Sequence, residues 1–437
     1  MGHTGHLKEE YRDLVERLDQ GQVGMPEPKD ARAWQGWREI LEILYEPEEA
    51  AIAARLPLRP ARLERCAERL GMDADVLRPK LDAMCDKGVV MDLVHPETGV
   101  VRYMLSPPVV GFFEFSLMRI KDGIPKQRMA EALDAYTHFD SAFAEEAFGG
   151  ETVIGRAMVR EEHIDGEALP DVLDWERASE LVETAHTHAV SICYCRHKAE
   201  HLDRDCDAPK EVCMSLNAGA EFVIRRGFGR PLALADAHAL LGQARDAGLV
   251  HIADNVQDRP SYICSCCGCC CGQLQAINDF GLRAVNPSGF EPRLDDERCI
   301  GCNLCSRACP VTAVTLQARR VPSSRRNVIR PIFDKDQCIG CGVCAGACRK
   351  GALTMVRRAE RSHVPVNSIE RVIRMSIERG RLAHLLIDQG ESRGHGFLNR
   401  AIQAIVRLPA AERALASEQV KSRFVRMALS KVRDPSG

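Results

Sequence analysis

The sequence predicts an α+β, multidomain protein, and three observations predict it. Residues 37–105 pass from amphipathic helical stretches into two stretches of period-2 alternation. Two cysteine-bearing segments beginning at Arg298 and Gln337 repeat one another at an offset of 39 residues. Upstream of both, "SYICSCCGCCCGQL" packs six cysteines, Cys264, Cys266, Cys267, Cys269, Cys270 and Cys271, into eight positions. A chain of 437 residues has room for about two to four domains.

The helical stretches come first. "WREILEILY" is an amphipathic helix, "RPARLERCAERLGM" a second stopped by Gly71, and "DADVLRPKLDAMCDKG" a third from the Asp73 cap to Gly88. "VVMDLVHPETGVVRYML" then alternates as two strands around "HPETG". The pattern resembles the winged-helix, helix-turn-helix modules of bacterial regulators. A DNA-reading helix needs basic residues facing phosphates. The third helix sets Arg78, Lys80 and Lys87 against Asp73, Asp75, Asp82 and Asp86, so a protein-docking or dimerisation module is expected and nucleic acid is not.

Composition excludes several classes. The chain is 45% hydrophobic and 28% charged with a formal net charge of -3, which gives no general affinity for nucleic acid or membrane. The N-terminus is polar, without the apolar run of a secretory signal. No stretch approaches the roughly 18 apolar residues of a spanning helix, and the most apolar piece, "VVGFFEFSLM", carries Glu114. The expectation is a soluble cytoplasmic protein. No Rossmann glycine fingerprint and no P-loop is present, so nicotinamide, flavin and ATP are not expected by those motifs.

In that setting disulfides are disfavoured, and 20 cysteines point to metal or redox chemistry. Cys66 and Cys85 stand alone in helical patterns and read as small buried hydrophobes. The repeats are "RCIGCNLCSRACPVTAVTL" and "QCIGCGVCAGACRKGALTM", each a C-x2-C-x2-C-x3-C run preceded by "EPRLDDE" or "RPIFDKD". Thiolates converging on a cubane need a tight loop, and Gly301 and Gly340 permit the turn. The spacing resembles the two-[4Fe–4S] bacterial-type ferredoxins over residues 291–357. The resemblance implies that Cys299, Cys302, Cys305 and Cys348 hold one cluster, and Cys338, Cys341, Cys344 and Cys309 the other. Two departures are Arg349, where a second proline is usual, and a basic insert, "QARRVPSSRRNVIR". A pair of zinc sites is the alternative, and zinc sites rarely use interleaved spacing.

Ten cysteines remain as metal-binding candidates. Cys193, Cys195, Cys206 and Cys213 lie in "ICYCRHKAEHLDRDCDAPKEVCMSL"; they could close a zinc site or ligate a cluster. Arg196, His197 and Lys198 place positive charge beside the first two thiols and would lower their pKa. In the six-cysteine loop, Cys264, Cys267 and Cys270 repeat C-x2-C-x2-C, with Cys266 and Cys269 one residue out of phase. Adjacent side chains of an extended chain point to opposite faces, so one loop offers thiolates in two directions. One or two further iron–sulfur clusters are expected here, with some thiols left over. The "CCG" of the loop has a counterpart in heterodisulfide-reductase-type sites, but no cysteine lies between Cys213 and Cys264 to match their spacing. His186 and His188 read as structural.

Residues 40–400 together resemble a family of multi-cluster proteins that join a cysteine-rich module to a two-cluster ferredoxin. The resemblance implies single-electron relay between redox-protein partners, a donor and an acceptor, and names neither. The expected organisation is a helical segment at 1–36, a winged-helix-like module at 37–108 and a mixed helical connector at 109–185. A cysteine-rich module at 186–290, the ferredoxin domain at 291–357 and a basic helical segment at 358–437 follow. The last carries nearly twice as many Lys and Arg as Asp and Glu, which suits either docking to an acidic partner or a solvated helical cap. The pattern favours an electron carrier or redox subunit over a stand-alone enzyme and leaves homo-oligomerisation open. Two alternatives are a redox-sensing winged-helix regulator and a reductase with an unusual cluster as its substrate site.

Overall fold

The computed structural model describes residues 7–320 and 327–386, and they are mixed helix and strand, α+β as expected. Two compact units divide them. The first lies within Met1–Ser116, Ile120–Thr152 and Val366–Gly437, the second within Leu117–Arg119 and Val153–Pro365. The segment 109–185 is therefore shared between the units. Most of the basic segment, residues 387–437, and the centre of the basic insert, 321–326, lie outside the described residues.

In the first unit the helix Ala31–Leu44 is capped by Asp30, whose side chain accepts from the Arg32 and Ala33 amides at 2.8 and 3.0 Å. It crosses Lys126–His138 at Gly36, where a Cβ would meet the Ala132 carbonyl. Trp37, Ile40, Leu41, Met129 and Leu133 are buried. Helices Leu63–Leu70 and Ala74–Lys87 end on Gly71 and Gly88, both at positive φ, and lead into strands β1, Val90–Val94, and β2, Val101–Leu105. These pair antiparallel from Val90↔Leu105 to Val94↔Val101. The sequence reading missed the short helix Pro47–Ala53, whose Glu48 and Glu49 engage Lys80 and Lys87 of Ala74–Lys87 at 2.7 and 2.6 Å. Seven residues are two turns, too few for periodicity to register. Cys66 and Cys85 are fully buried, and burial pushes the Cys66 thiol up to about 11. Helix Ser368–Glu378 returns to this unit. Glu378 accepts from the Thr152 amide and hydroxyl, while Arg381 and Arg379 bind Glu146. Two of the described cations of the basic segment are thus held internally and are not offered to a partner.

The second unit is built on a seven-stranded sheet. Its strands are β3, Gly155–Ala157; β4, His188–Ile192; β5, Glu211–Leu216; β6, Arg230–Pro231; β7, Val250–Asp254; β8, Tyr262–Cys266; and β9, Val285–Asn286. The order is β6-β4-β5-β8-β7-β3-β9, antiparallel throughout except for β3 with β9. β3 falls in the expected helical connector; three residues carry no readable alternation. Val190, Val212, Met214, Leu216, Ala253 and Ile263 join Leu181, Val182, Ala237 and Leu240 of helices Ala178–Thr184 and Leu234–Asp246 in one core. Because strand side chains alternate, this core consigns Cys213, Cys264 and Cys266 to the opposite face of the sheet. The same unit closes on a pair of charges. Arg357 donates both terminal nitrogens to Glu176 at 2.7 and 2.8 Å, with its guanidinium 4.3 Å over the Phe290 ring. Breaking such a largely buried pair strands one charge and costs about 3–5 kcal/mol. Glu176→Ala should therefore lower the midpoint of the anaerobically purified protein in denaturant, with the unfolding free energy falling by that much. An unchanged midpoint would remove the pair from the stability of this unit.

Candidate metal centres

The cysteine repeats form two matching halves. Strand β10, Phe290–Leu294, leads into the first, and β11, Val314–Arg319, leaves it. Strand β12, Val328–Phe333, leads into the second, and β13, Leu353–Arg357, leaves it. β10 pairs with β13 and β11 with β12. Each entry strand ends on an aspartate that turns the chain. Asp295 accepts from the Glu297 and Arg298 amides, and Asp334 from Asp336 and Gln337. Such Asx turns are what "LDDE" and "FDKD" encode. Gly301 and Gly340 then take φ +70 and +67. A Cβ on Gly301 would meet the Ile329 carbonyl of β12, and one on Gly340 the Phe290 carbonyl of β10. Each loop is pressed against the strand that leads into the other half.

One apolar cavity is lined by Cys309, Cys338, Cys341 and Cys344, with Val311, Phe333, Ile339 and Met355 among its walls. Cysteines from both halves therefore meet there. Burial raises the Cys309 thiol against opposing hydrogen bonds from the Val311, Ala313 and Val314 amides. Burial likewise pushes Cys341 up to about 12 and Cys344 well above the ordinary thiol value. A metal must displace those protons, so occupation couples to proton release. Cys305 neighbours Cys299 and Cys348, and the Ala352 amide donates to Cys348 Sγ at 3.3 Å. Cys302 is exposed. Cys305 also neighbours Cys344, so the two groups adjoin. Arg160, which sequence reasoning passed over, places its charge beside Cys341 and donates its amide to the Cys341 carbonyl at 3.1 Å. No local pattern marks it, because it lies far upstream in the chain.

The other ten cysteines separate into a quartet and a ring. In the quartet, Cys206, Cys267, Cys269 and Cys270 have sulfur atoms all within 4.8 Å of one another. Cys206 and Cys267 are 3.7 Å apart, Cys269 and Cys270 3.6 Å. The ring follows from the sheet. Met214↔Ile263 is a paired register of β5 and β8, so Cys213 and Cys264 are cross-strand neighbours and each thiol acts on the other. Cys264 adjoins Cys266, Cys266 adjoins Cys271, Cys271 adjoins Cys195 and Cys195 adjoins Cys193. Cys213 neighbours Cys193 and Cys195, closing the circuit. Cys193 and Cys271 are the N-cap residues of helices Tyr194–His201 and Gly272–Phe280, and helix N-termini favour negative charge. Hydrogen bonds from Cys195 and Cys266 hold the Cys271 thiol down at about 5, helped by the Leu274 amide. In the quartet, a bond from Cys270, helped by Arg196, holds Cys267 at about 4. The thiolate is the metal ligand, so each group holds at least one ligand ready.

Of the basic residues beside Cys195, Arg196 reaches the thiols. Arg196 is fully buried and faces Cys193 and Cys266 of the ring and Cys206 and Cys267 of the quartet. Its terminal nitrogens donate to the carbonyls of Pro209 at 3.2 Å and Ser265 at 2.8 Å. His197 turns instead to the Leu117 carbonyl at 2.7 Å. His188 binds the Val182 carbonyl and His186 lies against Glu221, so neither meets a thiol in those bonds. The quartet loop abuts the first ferredoxin half. A Cβ on Gly268 would meet the Pro310 carbonyl, and Asn278 donates to that carbonyl at 3.1 Å.

The family of 4Fe-4S dicluster domains matches residues 298–352. This stretch is an iron–sulfur, ferredoxin-like segment. Comparison with curated proteins and with solved structures gave no match. Among the described residues no helix is long and apolar enough to cross a membrane.

Proposed function

We propose that the protein relays single electrons between a redox-protein donor and a partner reductase through several [4Fe–4S] clusters. The supporting observation is a continuous series of thiol groups inside one compact unit. It runs from exposed Cys302 through the group of Cys299, Cys305 and Cys348 to the cavity of Cys309, Cys338, Cys341 and Cys344. From there the Pro310 contact leads to the cysteine-rich module, which holds both the quartet and the ring. Cys299, Cys302, Cys305 and Cys348 would hold one cubane, and Cys338, Cys341, Cys344 and Cys309 the second, with further iron–sulfur in the cysteine-rich module. A bound cluster supplies one-electron redox chemistry. The chain's part is to exclude water with apolar walls such as Phe333 and Met355 and to aim backbone N–H groups at the sulfurs, both of which set potential. Anaerobic iron and sulfide counting with EPR tests the reading. It expects more than the roughly eight irons of two cubanes and one-electron titrations. Zinc without acid-labile sulfide would overturn it.

Residues 37–108 make a winged-helix-like module in this reading, and we take it as a docking or dimerisation element. Lys80 and Lys87 of helix Ala74–Lys87 are held by Glu48 and Glu49 and so are engaged where phosphates would need them. Anaerobically purified protein at physiological salt should select no sequence from a random DNA pool. One enriched sequence would convert the reading to a redox-sensing regulator.

A further inference from the structure

We propose that the ten cysteines of the module build two chemically different centres. Cys206, Cys267, Cys269 and Cys270 take a single tetrahedral divalent metal ion of the zinc class, without sulfide. Cys193, Cys195, Cys213, Cys264, Cys266 and Cys271 take an iron–sulfur cluster. The second half rests on the iron–sulfur reading above; the first half stands without it.

Sulfur spacing separates the two. Four thiolates on one ion, at metal–sulfur distances of about 2.3 Å, lie roughly 3.8 Å apart in a tetrahedron. The quartet shows 3.6 and 3.7 Å for two of its pairs, and all four sulfurs are within 4.8 Å. Thiolates on the separate irons of a cluster stand farther apart, because iron and sulfide lie between them. Among the described residues the quartet alone is this tightly drawn together. The ring gathers six thiols, more than one tetrahedral ion can use. Its sulfurs come from strands β5 and β8 and from the N-termini of helices Tyr194–His201 and Gly272–Phe280.

Arg196 is the second observation. Its side chain is fully buried among the thiols of both groups, and its Nε has no hydrogen-bond partner. An isolated buried cation is costly unless it is paired with opposite charge. Four thiolates around one divalent ion carry a net charge of -2, and a thiolate-bound cluster is also anionic. The guanidinium therefore has an anionic centre on either side, and its unpartnered N–H is left for a metal-bound sulfur.

Metal and sulfide counting on the full-length, anaerobically purified protein separates the possibilities. Wild-type protein should carry one metal ion per chain in excess of its iron–sulfur complement, and about twelve sulfides, four beyond the two cubanes of the ferredoxin-like segment. Cys206→Ser should lose one metal ion and no sulfide. Cys269→Ser should do the same; Cys269 is exposed, so this variant guards against a folding defect. Cys264→Ser should lose about four irons and four sulfides together and keep the single ion. Sulfide lost along with the metal in both quartet variants would overturn the single-ion assignment. If Cys264→Ser lost no sulfide from a wild type that carries the extra four, the ring assignment would fall. A wild type with only about eight sulfides would refute the iron–sulfur reading of the module itself, while an ion lost from Cys269→Ser would still uphold the quartet.

Discussion

Replacing Cys309 with alanine should abolish or severely distort one ferredoxin-type cluster and leave the other's spectrum intact. Cys309 belongs by sequence to the first repeat, yet its thiol lines the cavity of Cys338, Cys341 and Cys344 from the second. The amides of Val311, Ala313 and Val314 converge on its sulfur and fix that thiol in place. About four of the irons should leave with it, or the cluster should shed one iron from its open corner. EPR of the dithionite-reduced protein should keep the signal of the cluster at Cys299, Cys302, Cys305 and Cys348. If that signal vanished while the one from Cys338, Cys341 and Cys344 survived, the crossed assignment would be wrong.

Gly340→Ala should unfold the second cluster loop, whereas Gly281→Ala should be mild. Both glycines sit at positive φ, +67 and +66, and an alanine there costs about 1–2 kcal/mol for the backbone alone. Gly281 has open space around it. At Gly340 the new methyl would also overlap the Phe290 carbonyl and the Ser288 hydroxyl oxygen. The hydroxyl can rotate away, but the carbonyl is part of β10 and paired through it to β13. Overpacking adds about 1–3 kcal/mol. The cost at Gly340 should therefore reach roughly 2–5 kcal/mol, with loss of visible absorbance from one cluster. Equal denaturation midpoints for the two variants would show that contact with β10 contributes nothing.

Much of the first unit was legible because its signals are local. Asp73, Gly71 and Gly88 mark helix ends by their own side chain or its absence, and they do so where the sequence placed them. Short elements escaped for want of periods to count, as with Pro47–Ala53 and Gly155–Ala157. The basic C-terminal segment read as a possible docking face. Glu146 takes up Arg379 and Arg381, and nothing near those arginines in sequence announces it.

By itself the sequence determined the ferredoxin-like segment. Four cysteines at C-x2-C-x2-C-x3-C, a glycine in each loop and an aspartate before it are consequences of turns only a few residues long, so spacing alone carries them. Only the tertiary structure decided how the remaining ten cysteines divide. C-x2-C-x2-C in the loop suggests that Cys264, Cys267 and Cys270 act together, yet Cys264 joins the ring while Cys267 and Cys270 join the quartet. The reason is where β8 stops. As far as Cys266 the chain is a strand, so Cys264 and Cys266 share a face with Cys213 of the neighbouring β5. From Cys267 it turns, and the next thiols swing toward Cys206. Strand pairing between distant segments sets that boundary, and Arg196 fills the space between the two groups.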